Sequence, residues 1–302
     1  MNAKEGDKMI IVITGPTGVG KTKLSIELAK RYNAEIINGD AIQIYKGLDI
    51  GSAKVTEAEK ENIPHHLFDI KEVNEEYSIY DYQKDSRKLI EDITKRGKNI
   101  IIVGGTGLYI KSALYDYTLN ENNNINDQYE DKSTEELYQE LIRLDKDINI
   151  DKHNRRRVVR ALNYYLETGK SINNNKNGNK LLYDAIFIGL TMDDRKTLYE
   201  RINNRVDKMI ANGLLDEVKS FYDKKVFTKP LLSGIGYKEL YEYFEGNITY
   251  DEAIQLIKRN SRRYAKRQYT FFNHQFDIKW FNVDINNFNK TIEEVTKYIN
   301  ER

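Results

Sequence analysis

The chain has 302 residues, with 48 Lys and Arg against 47 Asp and Glu, three prolines and no cysteine, a length that suits one large domain or two ordinary ones. The lack of cysteine excludes disulfides, thiolate metal sites and a cysteine nucleophile, and four histidines leave little for a zinc centre. A net charge of +1 makes any basic surface a local feature, and no apolar run approaches the roughly 20 residues of a membrane span.

Residues 1–8 lack the apolar centre of a signal peptide, so a cytoplasmic protein without membrane contact is expected. The runs Asn122-Asn123-Asn124 and Asn173-Asn174-Asn175 read as loop filler. The first apolar run, Met9 to Ile13, reads as a buried strand. It leads into Gly15-Pro16-Thr17-Gly18-Val19-Gly20-Lys21-Thr22, and a helical apolar period follows through Leu24, Ile26, Leu28 and Ala29 to about Tyr32. Strand, G-x-x-x-x-G-K-T loop and helix together make the phosphate-binding loop of nucleotide-binding proteins. Its glycines turn successive N–H groups inward, and the helix N-terminus adds its dipole. Lys21 supplies a point charge for terminal phosphates, and Thr22 offers its hydroxyl to Mg²⁺. The loop alone leaves open which polyphosphate it holds.

Ala34 to Asn38 reads as a second buried strand ending at Gly39-Asp40. In an open α/β sheet the carboxyl ends of the strands face the ligand, which places Asp40 beside the phosphate loop; the alternative is a turn or cap aspartate. His65 and His66 alternate sides on an extended segment, so the segment reads as a loop ordering the site rather than a metal pair. A helix spans about Ser78 to Arg96. The third strand, Asn99 to Val103, runs into Gly104-Gly105-Thr106-Gly107. A nucleotide hydrolase or kinase usually has a magnesium-holding aspartate at the end of such a strand. Glycine there points to a phosphate-bearing leaving group instead.

From about Leu119 the pattern turns polar. A capping box at Ser133 starts a helix through Leu144, and a second helix runs from about His153 to Glu167. Residues 119–181 read as an all-helical insertion between core segments 1–118 and 182–302, with the sheet resuming at Tyr183 to Leu190. A helix capped by Asp193 or Asp194 carries Leu198, Ile202, Met209 and Ile210 on one face and Arg201, Arg205 and Lys208 on another. Another helix runs from Leu214 to about Lys225. Gly236 to Leu240 leads into a short helix, Thr249 caps a long one through about Phe272, and a last strand, Asp277 to Val283, precedes a final helix. The fold class is α/β, a P-loop NTPase-like parallel sheet with a helical insertion. Two acid-free clusters stand out. Arg259, Arg262, Arg263 and Lys266 share one helical face, and Arg155, Arg156, Arg157 and Arg160 lie in the insertion. They fit a polyanion footprint or, alternatively, a solvated face.

Several ordered motifs resemble the tRNA dimethylallyltransferase family. They are the phosphate loop, Gly39 to Lys54, Ile63-Pro64-His65-His66-Leu67, Gly104 to Tyr109, Arg157 to Leu162, Gly236 to Leu240 and Tyr264 to Gln268. The resemblance implies transfer of a dimethylallyl group from dimethylallyl diphosphate to N6 of the adenine next to the anticodon of tRNA, with Mg²⁺ required. It makes Asp40 the base and gives Gln43 a contact to the target base, with Ala41 and Ile42 beside it. Thr106 becomes a tRNA contact, and Arg156, Arg157, Val158, Val159 and Arg160 the segment that grips tRNA. Lys21, Thr22 and Thr106 join Asp40 as the catalytic set, with Arg205 or Lys238 as an extra clamp on the leaving group. Ile42, Ile44 and Leu108 are candidates to line the allyl site. The chain departs from the family in carrying Ala41 for the usual serine, Gln128 near the usual arginine of an Asp-Pro-x-x-Arg segment, and Asp151-Lys152-His153-Asn154 for the usual His-Pro-Asn-Asp. A monomer is expected. The rival reading on the same fold is transfer to a free adenine nucleotide.

Overall fold

The computed structural model describes residues 8–117, 119, 128–174 and 180–302. Its sheet is built from the runs that read as continuously apolar, as parallel strands buried on both faces must be. Strand β1 (Ile10–Thr14) is central, flanked by β4 (Asn99–Val103) and β5 (Ala185–Thr191). Strand β2 (Ala34–Asn38) lies outside β4, and β3 (His65–His66) outside β2. With β6 (Lys279–Asn282) on the far edge, the order is β3-β2-β4-β1-β5-β6, and all pairings are parallel. Ile11, Ile13, Ile36, Ile101 and Ile188 are wholly buried in its core.

The helices of the first half are α1 (Lys21–Tyr32), α2 (Glu57–Lys60), α3 (Ile79–Lys95) and α4 (Gly107–Leu114). Ser78 caps α3 in a capping box with Asp81. After β5 come α7 (Arg195–Ala211), α8 (Leu214–Tyr222), α9 (Lys229–Ser233), α10 (Tyr237–Phe244), α11 (Tyr250–Gln275) and α12 (Phe288–Asn300). Asp194, not Asp193, caps α7, accepting from the N–H groups of Lys196 and Thr197. The inner stripe of α7 includes Val206, which the sequence pattern passed over. The sequence pattern passed over four short elements, α2, α4, α9 and the two-residue β3. His65-His66 is therefore strand rather than loop. His66 lies 2.7 Å from the Glu35 carboxylate of β2, which also binds Arg96 at 2.6 Å.

The chain divides into two compact units, Met1–Leu114 with Tyr183–Arg302, and Tyr115–Leu182. The second unit begins four residues before the expected boundary at 119 and ends one after 181. The cause is local: Tyr115 bridges Leu181 antiparallel, and the Asp116 N–H donates to the Lys180 carbonyl at 2.9 Å. Its helices are α5 (Thr134–Leu144) and α6 (Arg155–Thr168), followed by a short 3-10 turn at Ile172–Asn174. Leu137, Leu141, Val158, Val159 and Leu162 form its small core. Asn122, Asn123, Asn124, Asn175 and residues 125–127 of the Gln128 segment lie outside the described residues.

Candidate active site

Where β1 ends, Gly15 turns the chain at φ +136°, and a Cβ there would lie 2.3 Å from the Leu190 carbonyl oxygen. Glycine is therefore required to start the loop. The loop closes on Gly20 at φ +101°, which precedes the first residue of α1. Lys21 Nζ donates to the carbonyls of Gly15 (3.0 Å) and Pro16 (2.8 Å), so the ammonium is folded against its own loop. Burial and then the nearby Arg205 push its pKa down to about 7, against the pull of Asp40. Val19 is wholly buried and serves as an apolar anchor rather than as a ligand group.

The ends of β2 and β4 meet beside this loop. Thr106 N–H donates to the Gly39 carbonyl at 2.9 Å, and the Thr106 hydroxyl accepts from the Ala41 N–H at 3.0 Å. Asp40 is held on both sides: its N–H donates to Asn38 Oδ1 at 2.9 Å, and its Oδ1 accepts from the Ile42 N–H at 2.9 Å. Gly104 explains the missing aspartate. A Cβ at Gly104 would lie 2.1 Å from the Gly39 carbonyl carbon, so the two strand ends touch backbone to backbone and no side chain fits between them.

These pieces enclose one cavity of about 600 Å³, lined by Thr17, Gly18, Gly20, Lys21, Thr22, Asp40, Ala41, Ile42, Gln43 and Thr106. From α7 come Arg201 and Arg205, and from α11 come Tyr264, Arg267 and Gln268. Arg201 Nε donates to the Gly18 carbonyl at 3.1 Å. Arg205 is half-buried, and its desolvation lowers its pKa while Asp40 raises it. The cavity thus gathers cations around the glycine-rich loop and has one carboxylate, Asp40, in its lining.

A family model described as IPP transferase matches residues 43–275. The chain is 50% identical over 302 residues to a tRNA dimethylallyltransferase of Anoxybacillus flavithermus, covering 97% of this chain and 96% of that one. The chain belongs to the tRNA dimethylallyltransferase family. Another member, from Bacillus subtilis, is 49% identical over 285 residues, 91% of this chain and 90% of that one. A solved tRNA isopentenylpyrophosphate transferase of Bacillus halodurans superposes with a TM-score of 0.76 at 40% identity, covering 98% of this chain and 96% of that chain. A eukaryotic dimethylallyltransferase solved acting on tRNA gives a TM-score of 0.83 at 30% identity, covering 98% of this chain and 80% of that chain.

Not every candidate residue reaches the cavity of this family member. Ile42 lines it, but Ile44 is wholly buried and Leu108 is 41% exposed. Leu108 sits in the first turn of α4, whose inward face is taken by Gly107, Tyr109 and Ile110. Val55, Ile202, Val206 and Ile257 give the apolar wall instead. In the second unit, Val158 and Val159 belong to the core, so their side chains cannot touch a ligand, while Arg156, Arg157 and Arg160 are exposed. Arg155 turns inward and donates to the carbonyls of Lys132 (2.6 Å) and Tyr129 (2.7 Å). On α11, Arg259, Arg263 and Lys266 are exposed. Arg262 leaves the stripe, donating to Asn203 Oδ1 at 2.6 Å with its guanidinium over Tyr199. Both Arg205 and Lys238 line the cavity, and Lys238 lies 3.7 Å from Glu239.

Tyr264 and Gln268 are site residues that the pattern of charges hides. They are one helical turn apart on the inner side of α11, and both reach the Gly105 carbonyl, at 3.4 Å and 3.1 Å. Burial pushes the Tyr264 phenol well above its usual pKa. The Gln268 Oε1 is buried without a hydrogen-bond partner.

A divalent metal for the diphosphate substrate is general in this family. Among the described residues no cluster of three or more His, Cys, Asp or Glu could cage an ion. The donor at the loop is an oxygen, the Thr22 hydroxyl, in a cavity wide enough for phosphates and water. That donor fits a hard cation completed by substrate oxygens and water. Among the described residues no helix is long and apolar enough to cross a membrane.

Proposed function

We propose that the protein transfers a dimethylallyl group from dimethylallyl diphosphate to N6 of the adenine 3′-adjacent to the anticodon of tRNA, releasing diphosphate. The observation that carries this is the shared cavity: a phosphate loop with Lys21 and Arg205, and Asp40 at the end of β2.

The diphosphate lies in the nest from Gly15 to Thr22, at the N-terminus of α1. Its arrival holds Lys21 in the charged form against the burial that favours neutrality. Arg205 is the cation better placed as a second clamp, because its charge interacts with both Lys21 and Asp40, whereas Lys238 lies 3.7 Å from Glu239. As the allylic C–O bond breaks, its electron pair goes to the diphosphate, and the loop N–H groups, Lys21 and Arg205 stabilise that charge. Mg²⁺, with Thr22 as protein ligand, neutralises charge on the leaving diphosphate when bound. The N6 lone pair forms the new C–N bond, and Asp40 takes the N6 proton. The adenine has to leave its stack to enter a cavity of this size. Gln43, Thr106, Tyr264 and Gln268 supply polar groups around it. The exposed arginines of α6 and α11 give the phosphate backbone its footing.

The test is transfer of radiolabel from dimethylallyl diphosphate with Mg²⁺, offering in parallel an unmodified tRNA whose anticodon loop carries consecutive adenines, AMP and ATP. Label in the tRNA alone is expected. Label in the nucleotides alone would assign the cavity to a free-nucleotide prenyltransferase and return the basic residues to surface charge.

A further inference from the structure

The segment from Ala41 to Ala53 belongs to no regular helix or strand, apart from a bridge at Tyr45, yet it carries Gln43 and Ser52 on the cavity wall. A loop of this length needs something to fix its backbone. The fixing group is a single carboxylate on α8. Glu217 Oε2 accepts from the N–H groups of Asp49 (3.1 Å) and Ile50 (2.7 Å). Its Oε1 accepts from the Gly51 N–H (3.1 Å) and from the Tyr237 hydroxyl (2.7 Å). Four donors thus occupy both oxygens, the full capacity of a carboxylate. Gly51 has no room for anything larger, since a Cβ would stand 2.6 Å from the Tyr237 ring.

The next residue transmits the constraint. The Ser52 carbonyl accepts from Gln43 Nε2 at 3.1 Å and from Arg205 Nη2 at 3.5 Å. Its own hydroxyl closes the turn on the Leu48 carbonyl at 2.6 Å. The path therefore runs from Glu217 through three consecutive N–H groups to one carbonyl, and from there to the Gln43 side chain; the Arg205 contact, at 3.5 Å, is too long to carry much of the constraint. Glu217 itself does not line the cavity.

We propose that Glu217 is a positioning residue for the transfer reaction, acting by holding the Ser52 carbonyl at the height where Gln43 is held for the incoming base. This rests on the prenyl-transfer reading, and wild-type transfer to tRNA in the same assay tests that reading separately. The variant is Glu217→Gln, which keeps the shape but turns one acceptor into a donor facing N–H groups. Expected is a fall in kcat/KM for tRNA of about tenfold or more, since misplacing a group by about 1 Å can cost up to about 10². The Kd for inorganic diphosphate, measured by calorimetry, stays within about twofold, because the phosphate loop is built on β1 and α1. The decisive readout is coupling: in a Gln43→Ala background, Glu217→Gln is expected to have less than a third of its effect, because the group it positions is gone.

Additive losses in the two backgrounds would overturn the proposal, as would an unchanged kcat/KM in Glu217→Gln. If that variant does not fold, Tyr237→Phe removes one of the four donors and leaves the ring. Its kcat/KM loss is expected to show the same dependence on Gln43, and independence from Gln43 would equally overturn the proposal.

Discussion

Replacing Gly104 by alanine tests whether the contact between the ends of β2 and β4 sets the position of Asp40. The added Cβ would lie 2.1 Å from the Gly39 carbonyl carbon, 2.2 Å from its oxygen and 2.5 Å from its Cα. All three are backbone atoms, so no side-chain rotation relieves the clash. Restoring an ordinary carbon contact of about 3.5 Å requires the strand ends to part by more than about 1 Å. Gly39 is covalently joined to Asp40, and its carbonyl accepts from Thr106, so both groups move together. A displacement of that size at the base is worth about 10² in rate, or about 2.7 kcal/mol of barrier. Overpacking adds about 1–3 kcal/mol of lost stability. The assay is single-turnover transfer to tRNA, with the Kd for inorganic diphosphate and the melting temperature measured on the same protein. The expected pattern is a chemical step about 100-fold slower, a lower Tm and a diphosphate Kd within about threefold of wild type. A variant with wild-type rate and Tm would refute the account of why glycine stands here.

Asp40→Asn keeps the shape of the turn and removes the base, so turnover is expected to fall by about 10²–10⁴ while diphosphate binding is nearly unchanged; retained turnover in single-turnover assays would remove Asp40 from its role. Neutralising Arg259, Arg263 and Lys266 together is expected to weaken tRNA binding and lower the slope of log K against log salt by up to about 3, whereas Arg262→Ala acts mainly through its contact with Asn203 on α7. Filter binding across a salt series separates the two. Glu35 gives a pH signature. Burial alone would raise its pKa, but Arg96 and His66 outweigh burial and hold it below the ordinary carboxylate value of about 4.5. Its contribution to stability is therefore present above about pH 4.5 and lost as the pH falls below that value. Glu35→Gln should lower stability by about 1–2 kcal/mol at pH 7 and narrow the gap to wild type in urea titrations near pH 3. A gap that widens on acidification would reverse the sign of that argument.

The central sheet was legible because its strands are buried on both faces and so appear as unbroken apolar runs, and the helices that begin with Ser78, Ser133 and Thr249 announce themselves through capping boxes. The phosphate loop is equally local, since glycine spacing, strand and helix fall within one short segment. What stayed hidden depends on distant partners. The two residues of β3 form a strand because β2 offers them an edge, not through any propensity of histidine. Tyr264 and Gln268 reach Gly105 across 159 and 163 residues of sequence, and nothing in their own segment says which side of α11 faces the cavity. Arg262 looked like its neighbours on a helical wheel. Its difference is set by Asn203, on a helix about two-thirds of the way along the chain. Ile44 and Leu108 show the same limit for apolar residues: hydrophobicity says that they pack, but not against what.

Helix α11 runs for 26 residues without a break. Ile257, Ser261, Tyr264 and Gln268 on one side of it wall the cavity, and Arg259, Arg263 and Lys266 emerge on the opposite side. The helix backbone holds the two sets a helix diameter, about 10 Å, apart. The rod therefore behaves as a gauge. A nucleic acid whose phosphates rest on the outer residues presents to the cavity only nucleotides lying a fixed arc of backbone away. Loop geometry, rather than base identity alone, then decides which adenine arrives. Lengthening or shortening that loop by one nucleotide would bring the wrong base to Asp40 even with every contact residue intact.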